Sequence, residues 1–325
     1  MVRKTITFLF PFCLTFLLLT SCDLTGKNRK KPASTGQPYE IVLEGDTDSI
    51  VTRILTEDVP ALPQPEPLCK LIQVKKRKTK GSYLLVRTRI IVNITDKDFA
   101  VKLSHDENAA PQNIIRINAR SVQQLRERLN GEKLRQLVDK AELEHLTEMI
   151  SNNPSKQNKE MQEEVKKTFG LDMKIPVSMN ASKKAKDFIW ISNNASTGMQ
   201  NLLVMKVKSE ERRMKKQRSA TEGKANPNVT TTDDKHQIDN ILRINMPGET
   251  DSMYMTIPVL SEKGLWEMKG DAMGGPYVMR CIDKRTSSNA MQKEDRLYVI
   301  GFVYAPEMKK KILIKQLEAV ISTIK

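Results

Sequence analysis

The sequence predicts an α+β fold, with antiparallel-rich sheets and helices packed on one face. Three observations point to it. Residues 83–94 alternate strictly, with Leu84, Val86, Thr88, Ile90, Val92 and Ile94 on one side and Tyr83, Arg87 and Arg89 on the other, the period of a half-buried strand. Residues 121–151 and 307–324 repeat apolar positions at helical spacing. The element order of the first half, two βαβββα-like units being a duplication, resembles that of the second; ordinary alternation of strands and helices produces such an order as well.

The elements follow in chain order. Residues 39–45 form a strand, and 48–57 a helix with Asp48 or Ser49 at its N-cap. The proline-rich stretch 59–67, VPALPQPEP, cannot continue that helix. Strands follow at 68–76, 83–94 and 113–119, then a helical region from Ser121 that Gly131 is placed to break. This first unit spans 39–150. The second, 151–325, has short strands at 171–177, 187–192 and 201–207 and a helix at 236–245. Strands at 252–259, 264–270, 276–283 and 297–304 lead into a C-terminal helix. Residues 209–235 are charged and lack aromatics, and read as a disordered basic insertion.

The N-terminus speaks to compartment. Arg3 and Lys4 precede a short apolar run, residues 6–19, the pattern of a signal peptide over 1–21. It ends in Leu19-Thr20-Ser21-Cys22, which resembles a bacterial lipobox, with Cys22 the lipidated first residue of the mature chain. Stable attachment takes two or more acyl chains, such as palmitate. Residues 22–38, poor in apolar side chains, form a flexible tether. Two further cysteines, Cys69 and Cys281, permit one disulfide or stand as separate buried thiols.

Composition excludes several classes. With 39% hydrophobic and 29% charged residues, the chain is neither wholly disordered nor a polytopic membrane protein. Its net charge of +15 comes without aromatic interleaving (5% Phe, Trp and Tyr), so no stacking platform for nucleic acid is expected. Phosphate-loop, nucleophile-elbow and zinc motifs are missing. His105, His145 and His236 are scattered in polar surroundings and read as solvated. Asp96 to Glu107 has the acidic spacing of a calcium loop, but Val101 stands where that loop needs glycine. No cofactor or metal is expected.

The most unusual stretch is GLWEMKGDAMGGPY, 264–277. Gly274, Gly275 and Pro276 impose a tight turn, and Trp266 and Met268 share a strand face. One reading is a binding surface of Trp266, Met268, Asp271, Met273, Gly274, Gly275, Pro276 and Tyr277, with Asp271 as polar anchor. The other is a bend with a hydrophobic plug, in which Asp271 caps the turn. Asp271 with Glu267 or Asp283 would also supply the paired carboxylates of a glycoside hydrolase.

This stretch, with GFVYAPEMKKKILIKQLEAVISTIK at 301–325, resembles an uncharacterised lipoprotein family, domain-of-unknown-function family 4837. DVPALPQPEP (58–67) and KDFIWISN (186–193) are similar to further family segments. The resemblance covers the chain from about Tyr39 to its end. It implies a lipoprotein of one Gram-negative phylum and names no activity or catalytic residue. Surface-exported lipoproteins of that phylum resemble a pattern with acidic residues just after the cysteine; DLTGKNRKK (23–31) lacks it, which favours the periplasmic side. Asp48-Ser49-Ile50 and Asp251-Ser252-Met253 are similar to that phylum's O-glycosylation pattern, making Ser49 and Ser252 candidates. The expected function is a membrane-anchored, non-enzymatic binding or scaffold protein with an envelope protein or glycan as partner. A periplasmic hydrolase or a small-ligand or glycan-binding protein using a cleft near Trp266 and Asp271 is the alternative.

Overall fold

A computed structural model describes residues 30–75, 79–207, 241–245, 254–258, 261–283 and 296–325. The stretch read as a signal peptide, Cys22, Ser252, His236 and residues 209–235 lie outside the described residues. The fold is α+β, built on two sheets.

The first sheet has five strands: β1 (Glu40–Glu44), β2 (Lys70–Val74), β3 (Thr88–Ile94), β4 (Ala100–His105) and β5 (Asn113–Ala119), in the order β2-β1-β3-β5-β4. Helix α1 (Ile50–Leu55) connects β1 to β2. The second sheet has eight: β6 (Ala181–Ala185), β7 (Phe188–Ser192), β8 (Met199–Val207), β9 (Ile241–Asn245), β10 (Tyr254–Pro258), β11 (Lys263–Lys269), β12 (Gly274–Asp283) and β13 (Arg296–Tyr304). Their order is β6-β7-β8-β13-β12-β11-β10-β9, and every pairing in it is antiparallel.

In the first sheet β1 pairs in parallel with β2 and β3, and β3 with β5; only β4 and β5 run antiparallel. The two sheets therefore differ in pairing, and the likeness of element order between the halves does not extend to a duplicated topology. The inner strand β1 is buried on both faces, Ile41, Val42 and Leu43 all being inaccessible, while its parallel neighbour β2 at the sheet edge is partly exposed.

Helices α2 (Val122–Arg128) and α3 (Gly131–Ser151) follow β5, α4 (Lys159–Phe169) precedes the second sheet, and α5 (Lys311–Ser322) ends the chain. The break before α3 is made by Asn130, whose side chain accepts the Lys133 N–H, with Gly131 as first helical residue. At α1 the expected side-chain caps are replaced: Ser49 stands at the N-cap without a side-chain bond, and Asp46 accepts the N–H groups of Val51 and Thr52.

Other expectations need correction. Residues 241–245 form edge strand β9, not the end of a helix, because tertiary pairing with β10 overrides local periodicity. Residues 171–177 are not a strand; Leu171, Met173 and Ile175 anchor an irregular segment in the core. Residues 81–85 form a short 3-10 turn, so the strand expected from 83 begins at Thr88. Strand β4 occupies half of the stretch from Asp96 to Glu107 that has the acidic spacing of a calcium loop. The flexible tether is shorter than expected: Ala33 bridges Ala110 and Thr35 bridges Val86, fastening the chain to the first unit before Tyr39.

Three cores hold the layers. One lies between the first sheet and α1, α2 and α3. A second lies between the second sheet, α4 and α5. The third covers the other face of the second sheet, around Trp266, Tyr277 and Phe302. Helix α5 serves two cores at once: Ala319 enters the first, and Leu317, Val320 and Ile321 the second. The expectation of helices on one face thus becomes a shared helical layer between two sheets.

Candidate functional site

The β11–β12 hairpin contains the stretch that sequence singled out. Trp266 lies opposite Gly275, and Tyr277 lies opposite Gly264. Each aromatic ring crosses its glycine. The Trp266 indole N–H reaches past Gly275 to donate to the Val303 carbonyl at 3.2 Å, on β13. The Tyr277 hydroxyl reaches past Gly264 to the Pro258 and Ser261 carbonyls, at 2.5 and 3.2 Å. A Cβ on Gly275 would fall 2.1 Å from the Val303 oxygen, and one on Gly264 2.7 Å from the Tyr277 ring. The glycines are there because rings need their space, a cross-strand device that pins register.

This geometry corrects the expected binding surface. Trp266, Met268 and Tyr277 are buried core residues, and of the three Trp266 alone borders a concavity, described below. Trp266 packs edge-on against Phe302, ring centroids 5.3 Å apart. Asp271 is exposed on the hairpin turn, where its Oδ1 accepts the Ala272 N–H at 2.7 Å. Met273 packs against the third core. Asp283 ends β12, eight residues beyond Gly275, or about 26 Å at strand rise. Asp283 therefore stands at the far end of the strand from the turn that carries Asp271, and Glu267 is paired with Lys269 at 2.5 Å.

The concave feature lies on the opposite face of the same hairpin. Along β10 and β11, Met255, Ile257, Trp266 and Met268 point into the third core, so Thr256, Leu265 and Glu267 point to the face on which α5 packs. Helix α5 packs on β12, β13 and β8 and reaches β11 through the Lys263–Glu318 ion pair at 2.5 Å, while Leu265 and Glu267 farther along β11 stay exposed. Where the helical layer stops there is a groove of about 550 Å³. Its walls include Pro63 and Gln64 from the connector, Pro306 and Lys310 from the approach to α5, and Leu265 and Glu267 from β11. Leu265 is 47% exposed. Gly274 and Gly275 border the groove, so part of the expected surface does face it.

The wall is held by charge. Glu66, buried in the connector, accepts the backbone N–H of Lys310 at 2.6 Å and of Lys311 at 3.2 Å, supplying the cap that α5 lacks from its own N-cap side chain. Lys310 Nζ donates to Gln64 Oε1 and the Met308 carbonyl. Lys311 Nζ donates to the Pro67 and Leu68 carbonyls, and burial pushes its pKa down. One turn on, Lys315 meets Asp139 at 2.6 Å and Glu318 at 3.1 Å, and the Tyr39 hydroxyl donates to Asp139. Burial, then Asp139, raises the Tyr39 pKa, so its hydroxyl stays protonated. Glu267 is the only carboxylate among the described groove residues, and it pairs with Lys269 at 2.5 Å.

Elsewhere the polar residues are accounted for structurally. His145 is buried, not solvated as expected; neither ring nitrogen has a hydrogen-bond partner. Burial and the neighbouring Arg87 lower its pKa to about 4. Glu142, beside it on α3, accepts from the Tyr39 N–H and the Thr88 hydroxyl. His105 is exposed and bonds Asn113. Cys69 is buried, its thiol pushed up to about 12 by desolvation, while Cys281 is exposed on β12, and no disulfide joins them. Ser49 is exposed, on a turn whose Asp48 pairs with Arg126. Among the described residues, no three His, Cys, Asp or Glu gather as a metal site. No helix among them is long and apolar enough to cross a membrane.

The family model described as Domain of unknown function (DUF4837) matches residues 158–323. The chain belongs to that family. The DUF4837 match begins with α4 and runs through α5, so it holds the groove-lining residues of β10 and β11 and the helix beside them. A second model, Domain of unknown function (DUF8532), matches residues 34–151 and holds Pro63, Gln64 and Glu66. The groove thus forms where the two matched regions meet. No match was found among curated proteins or solved structures.

Proposed function

We propose that this DUF4837 protein is a lipid-anchored component of the bacterial cell envelope that works by binding. Acylation of Cys22 would hold it on the periplasmic side of a membrane, and a protein or glycan partner would occupy the groove beside Leu265. The observation that carries the binding reading is Leu265 itself, a large aliphatic side chain 47% exposed in a concavity of about 550 Å³. What sets Leu265 apart from other exposed apolar side chains such as Val177 and Met149 is that it lines a concavity, the form that binding sites take. Pro63, Pro258 and Pro306 add rigid apolar walls that lose little entropy when covered. Anchoring is supported by the lipobox at Cys22, and the periplasmic side by the basic segment after it.

The reading is tested in living cells. A photo-reactive residue replaces Leu265, with Met149 on α3, 48% exposed, as the matched control position. The expected result is a discrete adduct from 265 and none from 149. Equal labelling at both positions would contradict it. Metabolic labelling with palmitate should mark the wild type and not Cys22→Ala; label retained in that variant removes the anchor from the account.

A further inference from the structure

We infer that the groove opens toward the membrane that carries the anchor, and that its occupant is an extended segment of a second protein anchored in that same membrane. This rests on the binding reading above and adds the direction and the class of partner.

The parallel sheet supplies the direction. Its registers pair Glu40 with Lys70, Ile41 with Thr88, and Thr88 with Asn113, so β2, β1, β3 and β5 all start in one row. With strands about 4.8 Å apart, that row is about 14 Å long. The chain arrives from its N-terminus at this row: Pro32 accepts from the Ala110 N–H, and Thr35 bridges Val86 just before β3. The connector enters at the other end of the same row, where Leu68 and Cys69 lead into β2. Glu66, which holds the start of α5, and Gln64, which lines the groove, lie only a few residues before that entry. The tether and the groove therefore share one end of the molecule.

Chain length supplies the reach. Eight peptide steps separate Cys22 from Lys30, at most about 28 Å of extended chain. A chain acylated at Cys22 would hold this end of the body, and the groove on it, close to the bilayer.

Chemistry selects the occupant. The groove offers Leu265, three prolines and the amide of Gln64, with Glu267 as its carboxylate. No exposed aromatic ring lines it to stack on a sugar. Glu267 is paired with Lys269, and the buried Lys310 turns its ammonium to Gln64 and the Met308 carbonyl, so the groove presents no unpaired cation to an anionic lipid head group. An apolar, extended peptide segment satisfies both the walls and the position.

The test repeats photo-crosslinking from position 265 in two forms of the full chain. One has its natural tether; the other carries a 60-residue Gly/Ser insertion after Gly26. Lengthening the tether dilutes the groove at the membrane surface roughly as the −3/2 power of length, so the yield should fall about tenfold or more. The adduct from the natural form should contain a protein with its own lipid anchor or membrane span. A soluble periplasmic protein as adduct, at equal yield in both forms, overturns this inference and leaves the binding reading intact. An adduct with phospholipid, or with residues of the same chain, also overturns it. No adduct in either form removes the binding reading itself.

Discussion

The carboxylate of Glu66 sits on the first turn of a helix 244 residues away, 2.6 Å from the backbone nitrogen of Lys310. One oxygen takes the Lys310 N–H and the other the Lys311 N–H. These bonds satisfy donors that every helix N-terminus leaves open. They also fix the connector against α5 and so set the width of the groove. Glu66→Ala should lower stability by about 1–3 kcal/mol, because two buried donors lose their acceptor. Urea denaturation measures this, with Glu57→Ala, whose side chain is 65% exposed, as a control expected within about 0.5 kcal/mol of wild type.

The crossed aromatic–glycine pairs give a graded prediction. Gly275→Ala places a methyl 2.1 Å from the Val303 oxygen, on backbone that cannot step aside, and should cost about 2–4 kcal/mol. Gly81→Ala, where no neighbouring atom lies within 4 Å, has space, but its φ of +59° still strains an alanine, so about 1 kcal/mol is expected. Thermal denaturation ranks the two. Fluorescence gives a second readout for Gly275→Ala, since Trp266 is one of only two tryptophans and should become more exposed.

The buried ion pair around Lys315 behaves differently from a surface one. Its side chain is 5% exposed and sits between Asp139 and Glu318. Lys315→Met leaves Asp139 with only the Tyr39 hydroxyl and Glu318 with only the half-exposed Lys263, and should destabilise by about 2–4 kcal/mol. Adding Asp139→Asn should recover part of the loss. A double-mutant cycle read by chemical denaturation separates this coupling from simple additivity.

Acid sensitivity follows from His145. Its folded pKa is about 4, below the ordinary 6.5, so the unfolded chain binds the proton that the folded chain refuses. The neutral-ring contribution is complete above about pH 6.5 and is lost as pH falls toward 4. His145→Leu should flatten stability across that window. Glu107, held to about 2 by Arg116 and Ser104, adds a separate loss below about pH 4.5, reduced by its partial exposure. Urea midpoints at pH 7, 5.5, 4.5 and 3 distinguish the two.

Much of this architecture was legible locally. The alternation in β3, the helical spacing of α5 and the break before α3 follow from side chains that neighbours in sequence can read. Strand direction was not legible, because a pleat has the same period whichever way its partner runs. The same ambiguity misplaced the binding surface. Period two put Trp266 and Met268 on one face, yet did not say that this face is core and that Leu265 and Glu267 look outward. The glycines at 264 and 275 looked like turn or ligand residues; they became intelligible only when register set each against an aromatic ring. Glu66 gave no local signal, since its partners lie at the other end of the chain. His145 misled for the same reason: Glu144 and Glu148 beside it on α3 are exposed, while the partners that bury it, such as Arg87 before β3, come from far along the chain.

The central claim is that the connector and α5 together build the groove wall. Hydrogen exchange on Glu66→Ala tests it most directly. The account predicts faster exchange at the amides of 310–314, unchanged protection across β12 and β13, and a parallel fall in crosslinking from position 265. Unchanged protection at 310–314, or loss spread evenly through the second sheet, would contradict it.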